Sequence, residues 1–240
     1  MTGASRGLGA AMARALAEAG AEVALHASGP IPSDRARELT DACGGRAHLL
    51  AADLSERDAA ERLANEALRA LGHVDILVNN AGIIRRADAS AYSDEDWDDV
   101  LMVDLSSVFR LCRAVGSTML DRGSGKIINI ASMLTFQGGM RVPAYAAAKG
   151  GVAQLTKALA NEWAARGVNV NAIAPGYMRT DNTQALREDP SRCEAITARI
   201  PAGRWGEPDD LAGAVVFLAS SASDYVHGYV LAVDGGWLAR

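Results

Sequence analysis

Tyr145 and Lys149 stand four residues apart in an alanine-rich helical pattern, so their side chains share one face, one turn apart. A phenol in water ionises near pH ~10, too high for an efficient base at neutral pH. A neighbouring ammonium favours the phenolate, and such a pair can move a proton on and off a substrate oxygen. That is the proton chemistry needed when a carbinol and a carbonyl interconvert. Ser132 follows an apolar, β-branched run and can hydrogen-bond the same oxygen. Taken alone, Tyr145 and Lys149 also read as an ordinary exposed pair on a helix.

A second feature decides between the two readings. Thr2-Gly3-Ala4-Ser5-Arg6-Gly7-Leu8-Gly9 runs directly into a helical pattern, and a strand pattern follows at 22–26. Glycines let the backbone turn tightly and approach a pyrophosphate, and the helix start offers free N–H groups at the positive end of its dipole. A glycine turn alone could be a simple helix entry. Its place between these elements favours a dinucleotide, and with it a hydride acceptor beside the Tyr145–Lys149 pair.

Elements able to position these residues recur in a regular rhythm. Strand patterns lie at 22–26, 47–51, 74–78, 126–130, 168–173 and 229–233, and helical patterns at 8–19, 33–42, 56–71, 94–120, 144–165 and 208–219. Gly20, Gly72 and Gly167 follow helical patterns, where a left-handed cap is wanted. This alternation predicts an α/β fold: a Rossmann-type, doubly wound parallel sheet in a single domain over 1–240. The glycine turn normally follows a first, central strand, and only Met1 precedes it here. The expectation is that this strand is missing and that the natural chain begins several residues earlier. The stretch 176–206 shows no clear periodicity and is expected to be a substrate lid.

Composition removes other classes. The net charge is -5, from 24 basic and 29 acidic residues scattered through both halves, so a nucleic-acid partner is not expected. Three widely spaced cysteines and four histidines without ligand spacing argue against disulfides or a metal and suit a reducing cytoplasm. The histidines read as surface or core residues. No apolar run has the length of a membrane span, and no charged-then-apolar leader opens the sequence.

Gathered in order, these motifs resemble the short-chain dehydrogenase/reductase family, in its classical branch, over nearly the whole chain. The turn at 2–9 resembles its TGxxxGxG, Asn79-Asn80-Ala81-Gly82 its NNAG, and Ser132, Tyr145 and Lys149 its catalytic serine and YxxxK. Pro175-Gly176 and Thr180 match the segment that meets the nicotinamide amide, and Val233-Asp234-Gly235-Gly236 a C-terminal signature. The resemblance implies that Gly3, Ser5, Arg6, Gly7, Leu8, Gly9, Asp53, Leu54, Asn79, Ala81, Gly82, Pro175, Gly176 and Thr180 contact NAD(P), with Tyr145 and Lys149 at its nicotinamide ribose. It also implies a homotetramer with the long helices and the last strand at its interfaces, where Trp237 and Leu238 would be buried unless they pack on their own core. The family's catalytic asparagine falls at Asp104, within Val103-Asp104-Leu105. An ionised carboxylate can accept but not donate, so a weakened or rewired proton relay is expected.

The strand pattern at 22–26, second once the missing first strand is counted, ends in His26-Ala27-Ser28 with no acid for a ribose 2′-hydroxyl, and Arg6 lies in the turn. Both lean to NADP over NAD. The finer likeness is to sugar-acid dehydrogenases of the 2-dehydro-3-deoxy-gluconate type, many of which use NAD. It rests on Ile83-Ile84-Arg85-Arg86, the stretch 132–139, Arg141-Val142-Pro143, Asn182-Thr183-Gln184 and the last six residues. It implies a keto-sugar acid as substrate, with Arg85, Gln137, Arg141 and Asn182 as candidate contacts; each arginine could equally form a surface ion pair. The alternatives are a 3-oxoacyl-carrier-protein reductase, a gluconate 5-dehydrogenase, or a nicotinamide-binding protein without turnover.

Overall fold

Val168–Pro175 (β5) is buried along its full length, as a central parallel strand covered on both faces must be. The computed structural model describes residues 1–240. β5 lies between β4 (Gly125–Ile130) and β6 (Val230–Val233), and β4 also pairs with β3 (Ile76–Asn79). β1 (Val23–Ala27) pairs with β2 (Ala47–Ala51), and every pairing is parallel. Neighbouring residues of a strand face opposite ways, and the core divides accordingly. Val78, Ile128 and Ile173 pack with α1 (Gly7–Glu18) and α9 (Ala212–Ala219). Leu77, Ile127 and Val170 pack under α3 (Ala59–Leu71) and α5 (Ser107–Arg122). α2 (Ser33–Ala42) joins β1 to β2, and α6 (Pro143–Trp163) joins β4 to β5. This is the doubly wound α/β sheet that the strand and helix rhythm predicts.

The place of the expected first strand is partly taken by residues 1–4. The Met1 amino group donates to Ala24 O at 2.8 Å and Thr2 N to Val78 O at 3.0 Å. His26 N donates to Met1 O at 3.0 Å, and Ala4 N to His26 O at 2.8 Å. These bonds join β1, at Ala24 and His26, to β3 at Val78. Beyond them lies a cavity of about 470 Å³, lined by Leu16, Val23, Leu63, Leu71, Ile76 and Val115 among others.

Two segments differ from the sequence reading. The helix expected over 94–120 is divided into α4 (Asp94–Leu101), a π-helical turn (Met102–Ser106) and α5. A π turn adds a residue to the helical circuit and re-aims the side chain it carries, here Asp104. The stretch 176–206 contains α7 (Gln184–Arg187) and α8 (Pro190–Arg199). Asp189 caps α8 by accepting from Ser191 N and Arg192 N at 3.1 and 3.2 Å, with Pro190 in the first turn. An aspartate before proline is a helix-start signal that was present in the sequence.

α1 begins against its own turn. A Cβ on Gly9 would lie 2.1 Å from Gly3 O and 2.6 Å from Asn80 Nδ2. Gly9→Ala is expected to remove about 2 kcal/mol or more of unfolding free energy, measured by urea denaturation, because backbone has to move. A change within about 0.5 kcal/mol contradicts this account of the turn.

Candidate active site

Lys149 lies on α6 and is buried, 4% exposed. Its Nζ donates to Ile130 O at 3.0 Å, lies 3.4 Å from Asp104 Oδ2, and stands 5.5 Å from the centre of the Tyr145 ring. Asp104 is fully buried, and its Oδ1 accepts from Ile83 N at 2.7 Å. Oδ1 thus meets a hydrogen-bond donor, while Oδ2 meets the ammonium at ion-pair distance and has no hydrogen bond of its own. Burial alone disfavours the charged lysine, but the Asp104 carboxylate, and Tyr145 after it, more than offset this and raise the Lys149 pKa. Burial pushes the Asp104 carboxyl up, against the opposing pull of Lys149. At the position where a weakened or rewired relay is expected, the Asp104 carboxyl lies at ion-pair distance from the ammonium. Gly82 makes room for it, since a Cβ there would come within 2.9 Å of Asp104 Oδ2.

Ser132 follows β4, and its Oγ accepts from Leu134 N at 3.2 Å. Thr135, which sequence reasoning passed over, ties this loop to α6 by donating from Oγ1 to Lys149 O at 3.0 Å. Gln137 Oε1 accepts from Trp237 Nε1 at 3.0 Å. Trp237 is buried in the chain's own core, tilted against Tyr177 and covered by the Arg199 guanidinium 3.9 Å from its ring centre. The arginines proposed for a substrate carboxylate are both paired. Arg85 meets Asp96 and Asp99 at 3.3 and 3.9 Å, and Arg141 meets Asp88 at 3.0 Å. Asn182 accepts through its carbonyl from Arg86 at 3.4 Å.

The glycine turn is held by the NNAG segment. Thr2 Oγ1 accepts from Asn80 N and Ala81 N at 2.9 and 3.0 Å, and Asn80 Nδ2 donates to Thr2 O and Gly3 O at 3.1 and 2.9 Å. Asn80, not proposed from sequence, therefore grips the turn. Asn79 points into the core and donates to Asn129 Oδ1 at 2.9 Å, so its side chain is placed as a structural group. α1 starts without a side-chain cap and without an acid in its first turn, which leaves its N–H groups for an anion. Asp53 accepts from Ser55 N and Oγ at 3.0 and 2.8 Å, and these bonds hold its carboxyl below the usual range. Leu54 is buried beside it. Arg6 reaches Asp181 at 3.4 Å, and Arg35 Nε donates to Ser5 O at 2.8 Å. Arg35 lies in the first turn of α2, beyond the end of β1 where the sequence signal for cofactor choice is read. Pro175-Gly176 ends β5, with Gly176 N donating to Val233 O at 2.9 Å. The uncapped helix start and tight turn fit a dinucleotide's pyrophosphate.

A family model described as enoyl-(acyl carrier protein) reductase matches residues 3–238. The 2-dehydro-3-deoxy-D-gluconate 5-dehydrogenase of Escherichia coli (strain K12) is 54% identical over 241 residues, covering 100% of this chain and 94% of that protein. The chain belongs to the short-chain dehydrogenase/reductase family. The protein of the same name from Bacillus subtilis (strain 168) is 52% identical, over 100% of this chain and 94% of its own length. Among solved structures, a gluconate 5-dehydrogenase from Burkholderia cenocepacia J2315 in complex with NADP and tartrate matches with a TM-score of 0.93 and 41% identity, over 100% of this chain and 94% of that one. As a member of this family the protein is an NAD(P)-dependent oxidoreductase acting on CH–OH groups.

Two substitutions test the buried pair. Asp104→Asn keeps an acceptor for Ile83 N and removes the charge, so the Lys149 pKa falls and the alkaline limb of kcat/KM moves to lower pH in a pH–rate profile. Its kcat at neutral pH is expected to equal or exceed the parent's. Asp104→Ala strands the ammonium and is expected to lose about 3–5 kcal/mol of stability in urea unfolding.

Proposed function

We propose that this enzyme transfers a hydride between NADP and a carbinol or ketone of a sugar acid, as a dehydrogenase of the 2-dehydro-3-deoxy-D-gluconate 5-dehydrogenase type. The observation that carries this reading is identity above half, end to end, with proteins of that name. The ligand pair of the gluconate 5-dehydrogenase, NADP with the hydroxy acid tartrate, supports it.

When bound, the nicotinamide supplies a site that gives or accepts the hydride. In our reading the uncapped start of α1 and the turn Gly3 to Gly9, with Ser5, Arg6 and Leu8, hold its pyrophosphate. Asp53-Leu54 take the adenine, Ala81 and Gly82 line the ribose side, and Pro175-Gly176 with Thr180 meet the nicotinamide amide. Ser132 Oγ hydrogen-bonds the substrate oxygen, and the Tyr145 hydroxyl gives or takes the proton there. Lys149 holds a fixed positive charge next to Tyr145 and the nicotinamide ribose. Asp104 keeps Lys149 in place and charged. Arg6 in the turn, Arg35 against Ser5 O, and the lack of an acid after β1 support NADP over NAD.

The segment 176–206 acts as the lid. Support comes from the Arg6–Asp181 contact, which links it to the glycine turn. For the substrate carboxylate we retain Arg85 and Arg141 as candidates. Each exchanges an aspartate for the substrate; Arg141 sits four residues ahead of Tyr145 and Arg85 three after Gly82. Gln137 and Asn182 meet the hydroxyls. A homotetramer is supported by the exposed Phe109 on α5 and by Phe217, Tyr225 and Tyr229 around α9 and β6. Free cysteines at 43, 112 and 193 suit the cytoplasm. No helix is long and apolar enough to cross a membrane.

The test is a substrate panel of uronate-derived keto acids, gluconate and a 3-oxoacyl thioester, run with both nicotinamides. The expected result is the highest kcat/KM with a keto-sugar acid and NADP(H). Preference for the thioester overturns the substrate assignment. Tyr145→Phe is expected to lower kcat about 10²–10⁴-fold while NADPH still binds. Unchanged turnover in that variant removes Tyr145 from the reaction.

A further inference from the structure

His26 is 3% exposed at the carboxyl end of β1, and nothing in the proton chemistry uses it. Its ring touches two separate segments. Nδ1 lies 3.2 Å from Gly3 N and Nε2 lies 2.8 Å from Ala52 O. A backbone N–H can only donate, so Nδ1 must keep its lone pair. A carbonyl can only accept, so Nε2 must carry the hydrogen. The two contacts therefore fix both tautomer and charge: the ring is neutral, with its hydrogen on Nε2.

The two segments that the ring joins are functional ones in the reading above. Gly3 opens the glycine turn in a left-handed conformation, φ 60°. Ala52 leads directly into Asp53 and Leu54. The His26 backbone holds the same corner, with its N–H on Met1 O and its carbonyl on Ala4 N. We propose that His26 is a positioning residue for the dinucleotide: its neutral ring holds the glycine turn at a set distance from the Asp53 segment. The inference rests on the assignment of residues 2–9 to the pyrophosphate.

The environment keeps the ring in the state this role needs. Burial is the main cause that lowers the His26 pKa; the Ala52 carbonyl and the Asp53 carboxylate oppose it, and the Met1 ammonium adds to the lowering. A proton on Nδ1 would set a second donor against the Gly3 N–H and release the turn.

Two variants separate this role from plain packing. His26→Gln keeps one acceptor and one donor, whereas His26→Phe keeps the ring volume and leaves the Gly3 N–H and the Ala52 carbonyl without partners. NADPH and NADH binding to parent and variants is measured by calorimetry, alongside kcat at saturating cofactor and ¹⁵N spectra of the histidine rings. The expected results are an Nε2–H tautomer for His26 in the parent and NADPH affinity lowered about tenfold or more in His26→Phe. His26→Gln is expected to stay within about threefold of the parent, and kcat at saturating cofactor to change little in either variant. An Nδ1–H tautomer, unchanged affinity in His26→Phe, or equal losses in cofactor affinity, kcat and keto-acid KM each overturn the proposal. Should His26→Phe not fold, the parent tautomer and the His26→Gln affinity decide it. A parent that binds neither nucleotide instead overturns the assignment of the glycine turn itself.

Discussion

Lys149 carries a charge in a place with almost no access to water, and much of the site follows from that constraint. An uncompensated buried ammonium is costly, so its donors need acceptors. Ile130 O supplies one, and the Asp104 carboxyl stands at ion-pair distance. The first fixes α6 against the end of β4, close to where Ser132 follows. The second requires a carboxylate to reach inward from the long helix, and the π turn at 102–106 provides that reach. Asp104 in turn orders Ile83 at the end of the NNAG segment. Helix, strand end, π turn and loop are thus held to one another through a single cation.

The turn at the start of the chain depends on a different economy of bonds. Its backbone is too tight to satisfy its own polar groups, and side chains from elsewhere do so. The side chains of Thr2 and Asn80 make four bonds that join the turn to the NNAG segment. His26 adds a contact from the opposite side. What these bonds leave free is the start of α1, where no side chain competes for the N–H groups. A site for an anion is therefore made by satisfying everything around it and leaving one helix end open.

The polar residues proposed to meet the substrate are already engaged within the chain. Arg85 and Arg141 sit on aspartates, and Gln137 is held by a tryptophan that the C-terminal segment buries in the chain's own core. Paired side chains of this kind are ordered before any ligand arrives, which lowers the entropy of recruiting them and sets an exchange of partners as the cost. Trp237 therefore links the last residues of the chain to the loop that follows Ser132.

Much was legible from the sequence because it depends on local rules. Periodicity of apolar residues decides strand or helix, and strand endings such as Ile130 place Ser132 at the carboxyl edge of a parallel sheet. Spacing alone puts Tyr145 and Lys149 on one helical face, and residue type alone sets Asp104 apart as an acceptor without a donor. What only the tertiary structure decided concerns partners far apart in the chain. That Asn80 grips the turn while Asn79 serves the core depends on which way each side chain leaves a strand end. That Arg85 and Arg141 meet aspartates, that Trp237 holds Gln137, and that His26 joins Gly3 to Ala52 follows from folding distant segments together. A pattern of neighbours records what each residue can do; only the packed chain determines which acceptor stands within hydrogen-bonding reach of which donor, because that distance is set by every element between them.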